Sequence, residues 1–239
     1  MTPQLTVETR TQLANAGTAT IANVLLRHGL RNTVPLGLRP LAPTQPPLVG
    51  PAYTLRFIPA REDIDSLAGY ADNSHLHRRA IEECPPEHVL VIDAGRNATA
   101  ASAGDLMIAR LMARGVAGVV TDGGFRDTPA IRETGLPAYQ RCSAPPATPI
   151  TLHPAELNGP VGCAGVAVYP HDVIVGDGEG VVVVPAHLAA EVAAEAEEAT
   201  AYEAFAEHEI AQGRPLLGLF PATEASRGEY RTWLAAQLP

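Results

Sequence analysis

The chain of 239 residues contains no lysine, since all 17 of its basic residues are arginines. This absence excludes mechanisms that use a lysine of the chain itself: Schiff-base aldolases, pyridoxal-phosphate enzymes and P-loop nucleotide hydrolases. Arginine does not replace the Schiff-base amine, because its guanidinium stays protonated. Imine chemistry on a lysine of this chain is therefore ruled out.

Aromatic residues and cysteines are also scarce. Aromatics make up 5% of the chain, so we expect a core of small and β-branched side chains. The three cysteines, Cys84, Cys142 and Cys163, lie far apart and form no Cys-x-x-Cys pair. An odd and sparse set is typical of reduced thiols in the cytosol. Each is most simply interpreted as a small buried hydrophobe.

Long apolar runs and blocks of positive charge are missing as well. No stretch approaches the roughly 18–20 apolar residues of a membrane span, and residues 1–10 lack the pattern of a signal peptide. The net charge of −9 argues against general binding to nucleic acids or anionic membranes. We therefore expect a cytoplasmic protein that binds neither nucleic acid nor membrane directly.

Apolar strands alternate with helices through the middle of the chain. Helices are predicted at residues 18–28, 75–83, 104–115, 127–135 and 186–212, strands at 52–58, 88–95 and 116–124, and a β-meander at 161–185. Buried strands separated by helices predict an α/β fold whose sheet is covered on both faces. No linker or repeat divides the chain, so we expect a single domain over residues 1–239, ending in a short helix anchored by Tyr230, Trp233 and Leu234.

Two short pairs, 21 residues apart, are the strongest candidates for a site. Gly104-Asp105 opens a predicted helix, and Arg126-Asp127 follows a buried strand and a Gly-Gly turn. In an open α/β sheet, binding residues gather beyond the carboxyl ends of the strands, so both pairs are expected to face one cleft.

The residue types in these pairs suit one kind of chemistry. Two carboxylates match the oxygen ligands of Mg²⁺ or Mn²⁺, and Arg126 presents a planar fork to a substrate carboxylate. The backbone N–H groups of Leu106 and Met107, at a helix N-terminus, suit an anionic oxygen. Together these groups would hold a 2-oxo acid on a metal and stabilise its enolate.

Simpler interpretations stay open. An Asp at a helix start is commonly a cap, and an Arg-Asp pair in a turn is commonly a solvated ion pair. His75 and His77 have no cluster of ligating partners and are expected on the surface. Asp177 and Glu179 are expected in a hairpin turn. The Ala- and Glu-rich helix at 186–212 is an ordinary amphipathic or solvated element unless one Glu reaches a partner subunit.

Three segments resemble one family. GDLMIARLMARGVAGVVTDGGFRD resembles the GD, G-x-x-G-x-V-x-D-G and RD pattern of the RraA-like family, named for a regulator of ribonuclease activity. That family includes the class II 4-hydroxy-4-methyl-2-oxoglutarate / 4-carboxy-4-hydroxy-2-oxoadipate aldolases. YPHDVIVGDGEGVVVVP and TATIANVLLRHG are similar to two further segments of the family. The likeness covers about residues 15–213 and leaves 214–239 as a C-terminal tail.

The resemblance implies a swivelling, phosphohistidine-domain-like β/β/α fold assembled as trimers or pairs of trimers. It also implies a divalent metal, Mg²⁺ before Mn²⁺, that Asp127 holds directly and Asp105 through a water on the metal. A Glu from the long helix of the neighbouring subunit completes the family's site. Glu203 is the better match to that residue and Glu198 the second.

The resemblance further assigns substrate binding to Gly104, Arg126 and the N–H groups of Leu106 and Met107, with Arg126 on the pyruvyl carboxylate or enolate. Two positions depart from the family pattern: Asn23 replaces an Asp in the opening helix, and His171 replaces the Gly of a Pro-Gly-Asp turn.

We therefore predict a divalent-metal-dependent lyase that acts on a 2-oxo acid through a pyruvate enolate, with Arg126 and Asp105 as catalytic residues. Retro-aldol cleavage and oxaloacetate decarboxylation share that enolate, so one site serves both. The alternative is a non-catalytic regulator that binds and inhibits a ribonuclease, served by the arginine-rich residues 56–79. A methyltransferase is disfavoured, because the chain has no Gly-rich methyl-donor loop.

Overall fold

A computed structural model describes residues 5–70 and 72–237. The α-helices in these ranges are α1 (Val7–Arg27), α2 (Leu67–Tyr70), α3 (Leu76–Glu83), α4 (Asp105–Ala113), α5 (Thr128–Thr134), α6 (Ala189–Ala211) and α7 (Glu224–Gln237). The strands are β1 (Arg39–Pro40), β2 (Leu48–Pro59), β3 (Val89–Asp93), β4 (Ala101–Ala103), β5 (Gly118–Thr121), β6 (Gly124–Phe125), β7 (Ala138–Gln140), β8 (Cys142–Ser143), β9 (Leu152–Leu157), β10 (Val173–Gly176) and β11 (Val181–Val184). This alternation confirms the predicted α/β class.

The main sheet has the order β1-β7-β5-β3-β2-β10-β11, and β9 also pairs with β2. The inner strands β2, β3, β5 and β7 are parallel, whereas β1, β9, β10 and β11 pair antiparallel. Helices α3, α4 and α5 cover one face, where Ile81, Ile108 and Ile131 join the buried cluster that includes Leu90 and Ile92. The parallel strands are buried along almost their whole length because this sheet has no solvent face.

Helix α1 is two helical segments joined at Gly17, whose φ of +75° is one that glycine adopts without steric cost. The second segment starts at Thr18, and the Asp177 carboxylate accepts hydrogen bonds from its backbone N–H (2.7 Å) and its hydroxyl (2.9 Å). An anionic acceptor at a helix start satisfies an unpaired amide and complements the helix dipole. Asp177 lies in the β10–β11 turn, so the predicted hairpin is confirmed.

A second, small sheet of parallel strands, β4-β6-β8, was not predicted. Ala103 of β4 pairs with Phe125 of β6, so the residues that follow these two strands emerge at the same edge. The predicted strand at 116–124 is in fact β5, a turn at Asp122-Gly123, and β6. The small sheet therefore delivers both candidate pairs to one place.

Other expectations are corrected by packing. His77 is fully buried rather than on the surface. Cys142 is exposed, although Cys84 and Cys163 are buried as expected. Within the expected meander, residues 163–165 form a 3₁₀ turn, and only β10 and β11 are strands.

The final helix, α7, is longer than expected. Tyr230 and Trp233 pack against Phe205 of α6, with ring centroids 5.8 and 5.6 Å from it. Leu234, however, is exposed and does not anchor the helix.

Candidate active site

The structure brings the two candidate pairs into contact. Gly104 and Asp105 directly follow β4, and Arg126 and Asp127 directly follow β6. A Cβ atom placed on Gly104 would lie 3.1 Å from the Arg126 Cγ and 3.2 Å from the Asp127 Oδ2. Arg126 and Asp127 therefore pack against the backbone of Gly104, and a larger residue at position 104 would push against both side chains.

Asp127 is not an ordinary helix cap. It occupies the N-cap position of α5, but its side chain makes no capping hydrogen bond. Its backbone is left-handed, with φ of 58°, which is uncommon for a residue other than glycine. Such strain clusters at functional sites, where the surrounding structure holds it. The carboxylate is free of the usual structural role of a residue at this position.

Asp122 anchors the turn that leads to Arg126 and Asp127. Its carboxylate is buried and accepts backbone N–H groups of Ala94 (2.7 Å), Arg96 (3.0 Å) and Ala164 (3.0 Å). Burial raises the pKa of this carboxyl, and the three hydrogen bonds oppose that rise. These hydrogen bonds connect the loop after β3 and the 3₁₀ turn at 163–165 to the turn that precedes β6, Arg126 and Asp127.

The Arg126 guanidinium is held at one edge only. The Arg126 Nε donates to Asp127 Oδ2 at 2.9 Å. The backbone N–H of Arg126 donates to the Ala103 carbonyl. In the parts of the chain that the structure describes, the two η nitrogens have no protein partner. They are available to a ligand carboxylate, which matches the fork geometry of the guanidinium.

The loop around Asp105 has its own internal hydrogen bonds. The Leu106 N–H donates to Asp105 Oδ1 at 2.8 Å, and the Met107 N–H donates to the Gly104 carbonyl at 3.1 Å. The anionic oxygen at this helix N-terminus is thus that of Asp105 itself. Binding of a substrate oxygen by these two amides stays a prediction, and it requires Asp105 to turn away from the Leu106 N–H.

Both pairs line one small pocket of about 250 Å³. The site residues on its wall are Gly104, Asp105, Leu106, Met107, Arg126 and Asp127. The remaining wall comes from Tyr70 and from Ala147, Thr148 and Pro149. The sequence analysis did not predict these four residues as part of the site. The one sequence feature that could have indicated them is Tyr70, a single aromatic residue within the polar residues 59–75.

The donor set fits a divalent cation that takes oxygen ligands. The pocket offers the carboxylates of Asp105 and Asp127, and Mg²⁺ is typically held by one or two carboxylates while it keeps several waters. Among the described residues, the one cluster of three His, Cys, Asp or Glu side chains with ligand atoms within 4.8 Å of one another lies elsewhere, at His28, Glu191 and Glu195.

Glu203 is not brought to this pocket within one protomer. Its carboxylate accepts a hydrogen bond from Thr20 at 3.3 Å, and it lines a different cavity together with Asn23. Glu198 pairs with Arg227 at 3.3 Å on that side of the molecule. A role for Glu203 therefore requires a neighbouring subunit, as predicted from the resemblance.

A family model described as RraA-like, Aldolase/RraA, matches residues 18–183, which include both pairs. The chain belongs to the RraA-like family. A Streptomyces coelicolor structure, described as RraAS2, an unusual member of the RNase ES inhibitor RraA protein family, is 32% identical with a TM-score of 0.74. The match covers 87% of this chain and 98% of that one, so the RraA fold holds over most of the described residues.

Several curated relatives carry an enzyme name. A Thermus thermophilus 4-hydroxy-4-methyl-2-oxoglutarate aldolase is 31% identical over 51% of this chain and 73% of its own. A Halalkalibacterium halodurans protein, provisionally given the same name, is 38% identical over 45% of this chain. The chain spans between 27% and 50% of the length of the first curated relatives that it matches.

Across the described residues, no helix has the length and apolarity to cross a membrane.

Proposed function

We propose that this RraA-like protein is a divalent-metal-dependent lyase that cleaves 2-oxo acids to pyruvate. One observation supports this most: a single pocket of about 250 Å³ is lined by Asp105, Asp127 and Arg126, whose η nitrogens have no partner among the described residues. That volume lies below the roughly 300–1,000 Å³ of pockets for drug-sized ligands, so it suits a small acid.

Each residue has a defined part in the reaction. The η nitrogens of Arg126 bind the carboxylate of the 2-oxo acid. Asp127 and Asp105 would hold the cation, Mg²⁺ or Mn²⁺, which would polarise the 2-oxo group and stabilise enolate charge. Asp105, which lines the pocket, also serves as the acid/base group, directly or through a water.

Two cleavages share the same product. In retro-aldol cleavage, the C4 hydroxyl gives its proton to the acid/base group, and its oxygen forms a C=O bond as the C3–C4 bond breaks. The C4 fragment leaves as a carbonyl compound, and the electrons of the broken bond form the pyruvate enolate, which takes up a proton at C3. Oxaloacetate loses CO₂ from C4 and leaves the same enolate. In a homotrimer or hexamer, Glu203 of a neighbouring protomer completes the site.

The test is pyruvate release from 4-hydroxy-4-methyl-2-oxoglutarate and from oxaloacetate, followed with a coupled dehydrogenase. We expect release to require Mg²⁺ or Mn²⁺, to stop with EDTA, and to return when the metal is added back. Metal-independent release, or none from either acid, would contradict the proposal.

Gly104→Ala tests the packing of the two pairs. The added methyl would lie within about 3.2 Å of Arg126 and Asp127, so we expect pyruvate release to fall about 10- to 100-fold while Tm changes by less than about 3 °C. Gly178→Ala is the matched control, since it has open space around it. Equal rates for the two variants would show that this contact does not set the site geometry.

A second candidate function is inhibition of a ribonuclease. The observation that favours it is the 98% coverage of the S. coelicolor relative, which is described as belonging to the RNase ES inhibitor RraA family. A pull-down with purified RNase ES distinguishes the two functions. Capture that survives both EDTA and Arg126→Ala, without any pyruvate release, would favour the regulator.

A further inference from the structure

Among the described residues, Tyr70 is the one aromatic side chain on the wall of the candidate pocket. It ends α2, within the polar excursion between β2 and α3, and is half-buried. Arg126 lines the same cavity. Thr148, from the segment before β9, is a second hydroxyl residue on this wall.

Neighbouring side chains hold Tyr70 in place. Its hydroxyl is 3.1 Å from Nδ1 of His77, which is completely buried and packs edge-on against Phe57 at 5.2 Å. The Arg78 Nε donates to the Tyr70 carbonyl at 2.7 Å, and its guanidinium lies 5.6 Å from the ring centroid. Tyr70 is therefore held both at its backbone carbonyl and at its hydroxyl. A side chain that selects between ligands has to be fixed in this way by its neighbours.

Tyr70 and His77 are both neutral at physiological pH. Burial lowers the pKa of His77 to about 3, so the imidazole is neutral at physiological pH. Burial also raises the pKa of Tyr70, so its hydroxyl stays protonated. A neutral imidazole has one donor and one acceptor nitrogen, and a phenol has one donor and two acceptor positions.

The hydrogen-bonding capacity that His77 leaves on the Tyr70 hydroxyl decides which ligand groups Tyr70 can bind. If Nδ1 accepts, the Tyr70 O–H is used and its oxygen can only accept from a ligand. If Nδ1 donates, the Tyr70 O–H remains free to donate. A carboxylate pairs in the second case alone, whereas a ligand hydroxyl pairs in both, because it donates and accepts.

We propose that Tyr70, positioned by His77, is the specificity-determining contact of this pocket and binds the C4 hydroxyl of 4-hydroxy-2-oxo acids. This inference rests on the proposed lyase function. The hydroxyl contact favours retro-aldol substrates, while oxaloacetate, which has no C4 hydroxyl, does not use it. A site built to bind a hydroxyl discriminates against the analogue that lacks it, since the protein group is then left unpaired.

The test compares Tyr70→Phe with the wild-type chain on both acids in the presence of Mg²⁺. We expect kcat/KM for 4-hydroxy-4-methyl-2-oxoglutarate to fall about 10- to 100-fold, and oxaloacetate decarboxylation to change less than about threefold. Calorimetric binding of 2-oxoglutarate, which also lacks the hydroxyl, should be unchanged. Tyr169→Phe, at an exposed tyrosine outside the pocket, is the matched control.

Each outcome decides the matter. Equal losses on both acids, or no loss on either, would overturn the role of Tyr70 while leaving the lyase intact. No pyruvate from either acid with the wild-type chain would overturn the proposed function and this inference with it. His77→Phe, which removes the partner of the hydroxyl but keeps an aromatic ring, should show the same substrate-selective loss in a smaller degree.

Discussion

Arg126→Ala is expected to lower pyruvate release by at least about 100-fold, because it removes the group that binds the substrate carboxylate and faces the developing enolate. The η nitrogens have no other partner among the described residues, so the loss falls on the ligand and not on the fold. The ion pair with Asp127 is largely solvated, with 45% and 37% of the two side chains exposed. Its removal should therefore shift Tm by less than about 3 °C.

Two further variants make this result specific. Arg126→Lys keeps the charge but not the planar fork, so we expect an intermediate rate. Arg231→Ala removes an exposed arginine of α7, outside the pocket, and should leave the rate unchanged. Full activity in Arg126→Ala would mean that the chemistry takes place elsewhere, and the proposed lyase site would fall.

The convergence of the two pairs was predictable for a physical reason. The apolar strand Val89–Asp93 and the helix Asp105–Ala113 each carry a local hydrophobic pattern. Parallel strands then place the residues that follow them at a shared edge. What the pattern did not reveal is that β4 and β6, with three and two residues, deliver the pairs. Strands this short have no detectable periodicity.

The rest of the site depends on contacts that no local pattern records. His77 reads as polar, yet it is buried because Phe57 and Tyr70 pack around its ring. Tyr70, at the end of α2, lines the pocket together with Thr148 and Arg126, which are far from it in sequence. The same limit applies to Glu203, whose predicted role depends on a second copy of the chain.

Asp127→Asn is expected to abolish metal-dependent pyruvate release, again by at least about 100-fold, and to weaken binding of Mn²⁺ by at least tenfold, on the order of the losses seen when metal-site residues are changed. Asparagine tolerates the left-handed backbone at this position and can still accept from the Arg126 Nε. The substitution therefore removes charge while keeping the local geometry, and Tm should hold.

Calorimetry with Mn²⁺ separates this variant from Arg126→Ala. The arginine variant should bind the ion normally and fail to turn over, whereas Asp127→Asn should lose both properties. Asp63→Asn, at an exposed carboxylate that pairs with Arg61, is the control and should lose neither. Normal Mn²⁺ binding by Asp127→Asn would remove this carboxylate from the ligand set. The backbone strain at residue 127 would then need a different functional explanation, because the side chain also caps no helix.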